Sequence, residues 1–156
     1  MPQFTVFTVG HGQLSWDALM RLLTGSGVEV LIDVRAYPYR ELAPWFDRDR
    51  LEHLVRRAGL EYLWLGSQLG ALTAGGRVDY ISKEREPRYR EGIGQLLTLA
   101  GERQTCLLGS QLDPLLSHRH HLIAQTLLRH DVGVVHLLED GSTVAAHADL
   151  FHGLPG

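Results

Sequence analysis

Cysteine and lysine are almost missing from this chain. Its 156 residues hold one cysteine, Cys106, and one lysine, Lys83. A single thiol excludes a disulfide framework within the chain and any zinc cluster built on cysteines. With one lysine, nearly all positive charge is guanidinium, which favours fixed, planar, bidentate contacts to anions where arginines converge. No apolar run approaches the ~18 residues of a spanning helix, and the N-terminus carries no signal-peptide pattern. These two absences give the expectation of a cytoplasmic protein without a membrane partner. A large positive balance is also missing. The net charge of -3 disfavours nucleic acid as a partner and leaves only a local arginine patch for that class.

What is present is ordinary globular composition, 44% hydrophobic and 21% charged, in a length that suits one domain over residues 1–156. Phe4 to Val9 is a β-branched and aromatic run that stops at Gly10-His11-Gly12 and reads as a strand. Ser15 or Asp17 can open a helix carrying Leu19, Met20, Leu22 and Leu23, closed by Gly25-Ser26-Gly27. Val28 to Val34 is nearly continuous in Val, Ile and Leu, as in a strand covered on both faces. A proline-broken loop, residues 35–46, follows it. Asp47 then begins a helix with Leu51, Leu54 and Val55, and Leu60 to Leu65 forms a third strand. Residues 66–85 show weak periodicity and read as a long loop. Pro87 opens a helix with Ile93, Leu96, Leu97 and Leu99. Thr105 to Leu108 is a fourth strand. A fourth helix is expected from Ser117 to about His130, a fifth strand from Val132 to Leu138, and a short helix in the tail.

Strand and helix alternate through five strands. That order predicts a three-layer, Rossmann-like α/β domain, its mostly parallel five-stranded sheet covered by helices on both faces. A return across the sheet after strand three gives the order 3-2-1-4-5, with 2-1-3-4-5 as the alternative. In such folds ligands bind at the carboxyl ends of the strands. The expected crevice therefore gathers Gly10-His11, Asp33 to Arg40, and Gly109 to Leu122.

The chemistry expected there is anion binding. Arg35, Arg40 and Arg119 are the candidate cations, and Gly10 and Gly109 are read as allowing a ligand close to the backbone. Ser110 and Gln111 are the candidate hydrogen-bond donors. His118 and His11 are the candidate acid–base groups, since imidazole titrates near neutral pH. Arg35 has a second reading, an internal ion pair with Asp33, and for Asp33 the structural role is the expected one. Ser117 is expected to cap helix four, its oxygen accepting a backbone N–H one turn into the helix. Tyr37, Tyr39, Trp45 and Phe46 suit either stacking on a ring or loop packing.

The negative motifs matter as well. Gly10-His11-Gly12 lacks the third glycine of a dinucleotide fingerprint, and no Walker lysine is present. Ser110 lacks the G-x-S-x-G elbow of a hydrolase nucleophile. Adjacent His120 and His121 point to different sides of a helix, so no metal site is expected there. His147, Asp149 and His152 make only a weak metal set. No cofactor is implied, and nothing bears on oligomeric state.

The blocks TVGHGQLSWDALMRLL, VEVLIDVRAYPYRELAPWF, GLEYLWLGSQLGAL, DYISKEREPRYREGIGQLL, LLGSQLDPLLSHRHHLIAQTLL and VVHLLEDG run in this order along almost the whole chain. Together they resemble the family called domain of unknown function 488. The resemblance matches His11, Asp33, Arg35, Pro38, His118, Arg119 and His136 to the family pattern and makes His136 a residue near the site. It also marks departures: Gly109 and Ser117 stand at the family's two late cysteine positions, and Gln111 at its glutamate. The resemblance implies that no role requiring a thiol pair belongs to this chain. Two function classes follow. One binds or processes a small phosphorylated or nucleotide-like molecule. The other is a nucleic-acid-binding domain, or a non-catalytic structural or interaction module.

Overall fold

The computed structural model describes residues 3–39 and 43–149. Strand β1 (Thr5–Gly10) leads to helix α1 (Trp16–Gly25), whose N-cap Ser15 accepts the Ala18 N–H through Oγ at 3.1 Å. Strand β2 (Val30–Asp33) leads through a 3-10 turn (Pro44–Phe46) to α2 (Arg48–Arg57), with Asp47 at its N-cap position. Strand β3 (Glu61–Trp64) follows. The segment expected to be loop instead holds a short helix α3 (Gly66–Leu69), a bridge pairing Leu72 with Val78, and helix α4 (Tyr80–Arg85). Asp79 caps α4 by accepting the Ser82 N–H. Weak periodicity there reflects elements too short to repeat a pattern.

Helix α5 (Pro87–Glu102) begins on its proline, which fits the first turn because no N–H is needed there. Strand β4 is Thr105–Gly109. The expected single helix from Ser117 is two pieces, a π-helical segment (Arg119–Ala124) and helix α6 (Gln125–Arg129), and a 3-10 turn (Pro114–Leu116) precedes it. Strand β5 is Gly133–Leu137, and the tail adds strand β6 (Thr143–Ala145) where a helix was expected.

The sheet has six strands in the order β3-β2-β4-β1-β5-β6, parallel except for β6. Neither expected order is correct: β4 enters between β2 and β1 rather than beside β1 on its far side. The register Ile32 to Leu107 and Thr8 to Leu107 shows β4 bonded to both neighbours. Burial explains the insertion. All five residues of β4 and all four of β2 are buried, so both strands need neighbours on each edge and helices on each face.

Connections from β1 and β2 run one way across the sheet, and those from β3 and β4 run the other. Right-handed crossovers then put α1 and α2 on one face and α5 and α6 on the opposite face. The core divides accordingly. Leu19, Leu23, Leu51 and Val55 pack against Val9, Leu31, Cys106 and Leu108 on the first face. Tyr89, Ile93, Leu96 and Leu127 pack against Val6, Val30, Ile32 and Leu107 on the second. Alternation along each strand makes this assignment, so any polar residue in a strand belongs to one face or the other. Among the described residues, no helix is long and apolar enough to cross a membrane.

Candidate functional site

Asp33 alternates with Leu31 and faces the α1–α2 side, where its carboxylate is completely buried. Arg35 turns back on it. Nε donates to Oδ1 at 2.8 Å, Nη2 donates to Oδ2 at 2.7 Å, and the Arg35 N–H donates to Oδ1 at 3.1 Å. Tyr62 of β3, in register with Leu31, donates its hydroxyl to Oδ2 at 2.5 Å, and burial beside this carboxylate pushes the phenol up. The remaining Arg35 nitrogen, Nη1, donates to His11 Nε2 at 3.2 Å. His11 Nδ1 donates to the Gly12 carbonyl at 2.8 Å, and Phe46 packs on the ring at 4.9 Å between centroids. The internal ion pair is thus the arrangement formed. Trp45 donates Nε1 to the Leu14 carbonyl, so Trp45 and Phe46 are loop packing, while Tyr37 stays 73% exposed.

On the other face of β1 lies Thr8, two residues beyond Val6 and buried. Thr8 pairs in register with His136 of β5, and its hydroxyl meets His136 Nδ1 at 2.6 Å. Arg119 reaches across from the π-helical segment. Its Nη1 donates to Thr8 Oγ1 at 2.6 Å and its Nη2 to the Gln111 carbonyl at 2.5 Å. Arg119 is 1% exposed, its Nε is buried without a hydrogen-bond partner, and no carboxylate pairs with it among the described residues. Desolvation pushes its pKa down to about 10.

This cation accounts for the two glycines. A Cβ on Gly109 would lie 2.8 Å from Arg119 Nε, and one on Gly10 would collide with the Gln111 carbonyl. The space expected to admit a ligand is therefore filled by the protein's own Arg119 side chain and the Gln111 backbone. The loops after β1 and β4 are also zipped together, with His11 N–H donating to the Gly109 carbonyl and Gly12 N–H to the Ser110 carbonyl. Ser110 stays half-buried and Gln111 exposed on the outer side of this loop.

The chain of contacts continues outward from His136. His136 Nε2 lies 3.2 Å from His120 Nδ1, His120 Nε2 lies 2.8 Å from Asp149 Oδ1, and His121 Nδ1 lies 2.8 Å from Asp149 Oδ2. His121 Nε2 donates to the Leu115 carbonyl at 2.7 Å. With an ionised Asp149 at one end, a guanidinium at the other, and both His120 and His136 neutral, every bond has one direction. His120 donates to Asp149, His136 donates to His120, Thr8 donates to His136, and Arg119 donates to Thr8. Burial and the nearby Arg119 charge push the His136 pKa down to about 3, in keeping with a neutral ring.

Adjacent histidines were expected to diverge. Here a π-helical turn is wider than an α-helical one, so consecutive side chains separate less, and one carboxylate reaches both rings. Gln125 holds that carboxylate in place: its Nε2 donates to the His120 and His147 carbonyls, and its Oε1 accepts the Asp149 N–H. Thr8, Tyr62 and Gln125 did not stand out in the sequence, and His120 and Asp149 were not placed in one cluster. Only Thr8 and Tyr62 carried a signal, a polar group at a core-facing position of a strand.

Ser117 has extended backbone angles and accepts the Arg119 N–H at 3.1 Å, two residues along rather than a full turn. His118 sends Nε2–H to the Val34 carbonyl at 3.0 Å, and burial pushes its pKa down to about 4. The residues expected in one crevice are thus divided: His11, Asp33 and Arg35 form one cluster on the α1–α2 face, and Arg119 and His136 another on the α5–α6 face. Arg40 and His152 lie outside the described residues.

No curated protein and no solved structure matches the chain. One family model does, over residues 15–126, a span that contains Asp33, Arg35, His118, Arg119, His120 and His121 and leaves out His11, His136 and Asp149. That match covers most of the length, and the chain belongs to the family described as Domain of unknown function DUF488.

Proposed function

We propose that the loop Gly109 to Leu112, at the carboxyl end of β4, binds the anionic group of a small phosphorylated or nucleotide-like molecule. The observation that carries this reading is Arg119, a buried guanidinium without a carboxylate partner among the described residues. Burying an unpaired charge is costly, and an apolar side chain of similar volume would fill the same space more stably. A charge kept at that cost is a candidate for a functional role. Arg119 lies directly beneath the loop, and its hydrogen bond to the Gln111 carbonyl ties the loop to the positive field. The anion sits on the outer side, where the Ser110 hydroxyl and the Gln111 amide donate to it and Arg119 attracts it from below. Arg35 is excluded from this role because Asp33 already neutralises it. His118, with a pKa near 4, is neutral at pH 7, and its ring is held by the Val34 carbonyl.

The test is a titration of amide NMR spectra with inorganic phosphate, nucleoside phosphates and sugar phosphates. Saturable shifts of the Gly10 to Gly12 and Gly109 to Leu112 amides are expected, and Arg119→Met abolishes them. Absence of such shifts at about 10 mM of every anion, or wild-type binding by Arg119→Met, overturns the reading.

A further inference from the structure

We propose that His120, His121 and Asp149 form a binding site for a divalent transition-metal ion of the zinc class, open to the cavity beside β6. The inference is independent of the anion site and uses different side chains. One ligand atom from each residue lies within 4.8 Å of the others. Two imidazoles and one carboxylate are a donor set that zinc-class ions accept, with a coordination position left over.

The support around the three residues is what distinguishes this cluster from an incidental ion pair. Each histidine presents one ring nitrogen to Asp149 and has the other held by protein. His121 Nε2 is fixed by the Leu115 carbonyl, so Nδ1, which faces Asp149, is the ligand atom. His120 Nδ1 is fixed by His136, so Nε2 is the ligand atom. Ring orientation by a second group is the arrangement that tunes metal-binding histidines. Asp149 is far from the histidines in sequence, yet Gln125 holds the backbone leading into it, at the His147 carbonyl and the Asp149 N–H. A cavity of about 410 Å³ borders the cluster, lined among others by His120, His136, Asp149, Leu115 and Ala146. It supplies the entry path and room for a water or ligand on the open position.

Binding follows a definite proton balance. His121 Nδ1 and His120 Nε2 now carry the protons shared with Asp149. A metal ion takes their place, and the three donors re-space around it to bond lengths of about 2.0–2.2 Å. His121 loses one proton to solvent. His120 keeps its proton but moves it to Nδ1, which reverses the hydrogen bond to His136 and makes His136 donate toward Thr8.

The experiment titrates the chelator-treated protein with Co2+, reads the visible ligand-field absorption, and then displaces Co2+ with Zn2+. One saturable equivalent with a micromolar or tighter dissociation constant is expected. His121→Ala and Asp149→Asn each weaken it about tenfold or more, whereas His130→Ala, an exposed imidazole elsewhere, binds as the wild type. Thermal melts show that the variants remain folded, and Zn2+ raises the melting temperature of the wild type but not of Asp149→Asn. No saturable Co2+ spectrum, or equal affinity in the wild type and both variants, overturns the site and leaves a histidine–carboxylate ion pair.

Discussion

Arg35 and Arg119 are both buried guanidiniums at the carboxyl ends of neighbouring strands, yet they are opposite cases. Arg35 is 3% exposed and is met by a bidentate carboxylate, a ring nitrogen and a supporting phenol. Arg119 is 1% exposed and is met by a hydroxyl, a carbonyl and no charge among the described residues. In the first cluster the cation is neutralised by its own carboxylate. The second begins with a cation that no carboxylate pairs among the described residues and runs through His136 and His120 to Asp149, beside β6. Equal burial of the same side chain therefore carries no single meaning; the partners decide.

The sharpest way to break the comparison is to give both arginines the same substitution. Arg35→Met strands the Asp33 carboxylate in the core and is expected to cost about 3–5 kcal/mol in denaturant melts, the range for breaking a buried pair. Arg119→Met strands no charge, so the same measurement is expected to show little change. If Arg119→Met is as damaging as Arg35→Met, the distinction between the clusters fails.

Acid sharpens it next. His118 and His136 have folded pKa values pushed down to about 4 and 3, against an ordinary value of 6.5. Between those limits the unfolded chain binds protons that the folded chain refuses, so stability rises with pH and is lost on acidification from about pH 6.5 toward 4. At pH 5 the loss is about 2 kcal/mol for each histidine. His121 is shifted upward through Asp149 and the Leu115 carbonyl, against its own desolvation. Its contribution is present at low pH and fades as pH rises through its folded pKa, and its exposure keeps that opposing term small. Urea midpoints at pH 7 and pH 5 measure the sum, and His136→Gln should flatten the profile.

A smaller effect is expected at the helix start that carries Arg119. Ser117→Ala removes the acceptor for the Arg119 N–H and should cost roughly 0.5–2 kcal/mol, with anion affinity nearly unchanged. Full stability combined with lost turnover of a substrate would instead make Ser117 catalytic. Smallest of all is Arg119→Met itself, expected to change stability by less than about 1 kcal/mol while removing anion binding.

Much of this fold was legible because burial writes itself into pattern. The continuous apolar run of β2 announced a covered strand, and Leu19 with Leu23 and Leu51 with Val55 announced helix faces that cover it. Strand order was not legible, because nothing local in Thr105 to Gly109 says which two strands it separates. At the site, Gly10, Gly109 and Arg119 were grouped from the sequence, but the contact between them, in which the glycines leave room for the arginine, was not legible there. Asp33 and Arg35 were readable as a pair from their spacing alone. His120 and Asp149 were not, since a π-helical turn leaves no periodic trace and Asp149 sits in a tail whose position depends on Gln125.

The place of β4 also has a consequence for how the chain assembles. Strand β1 bonds only β4 and β5, and β2 bonds only β3 and β4. Through the end of α5 the emerging polypeptide can therefore pair only β2 with β3, and a two-stranded sheet is marginal on its own. The first strand waits, made but without a neighbour, until residues 105–109 appear and join both halves in one step. Such distant pairings slow folding and lengthen the time for which apolar strands are exposed. Synthesis of the last third of this chain is thus the event on which acquisition of the whole sheet depends.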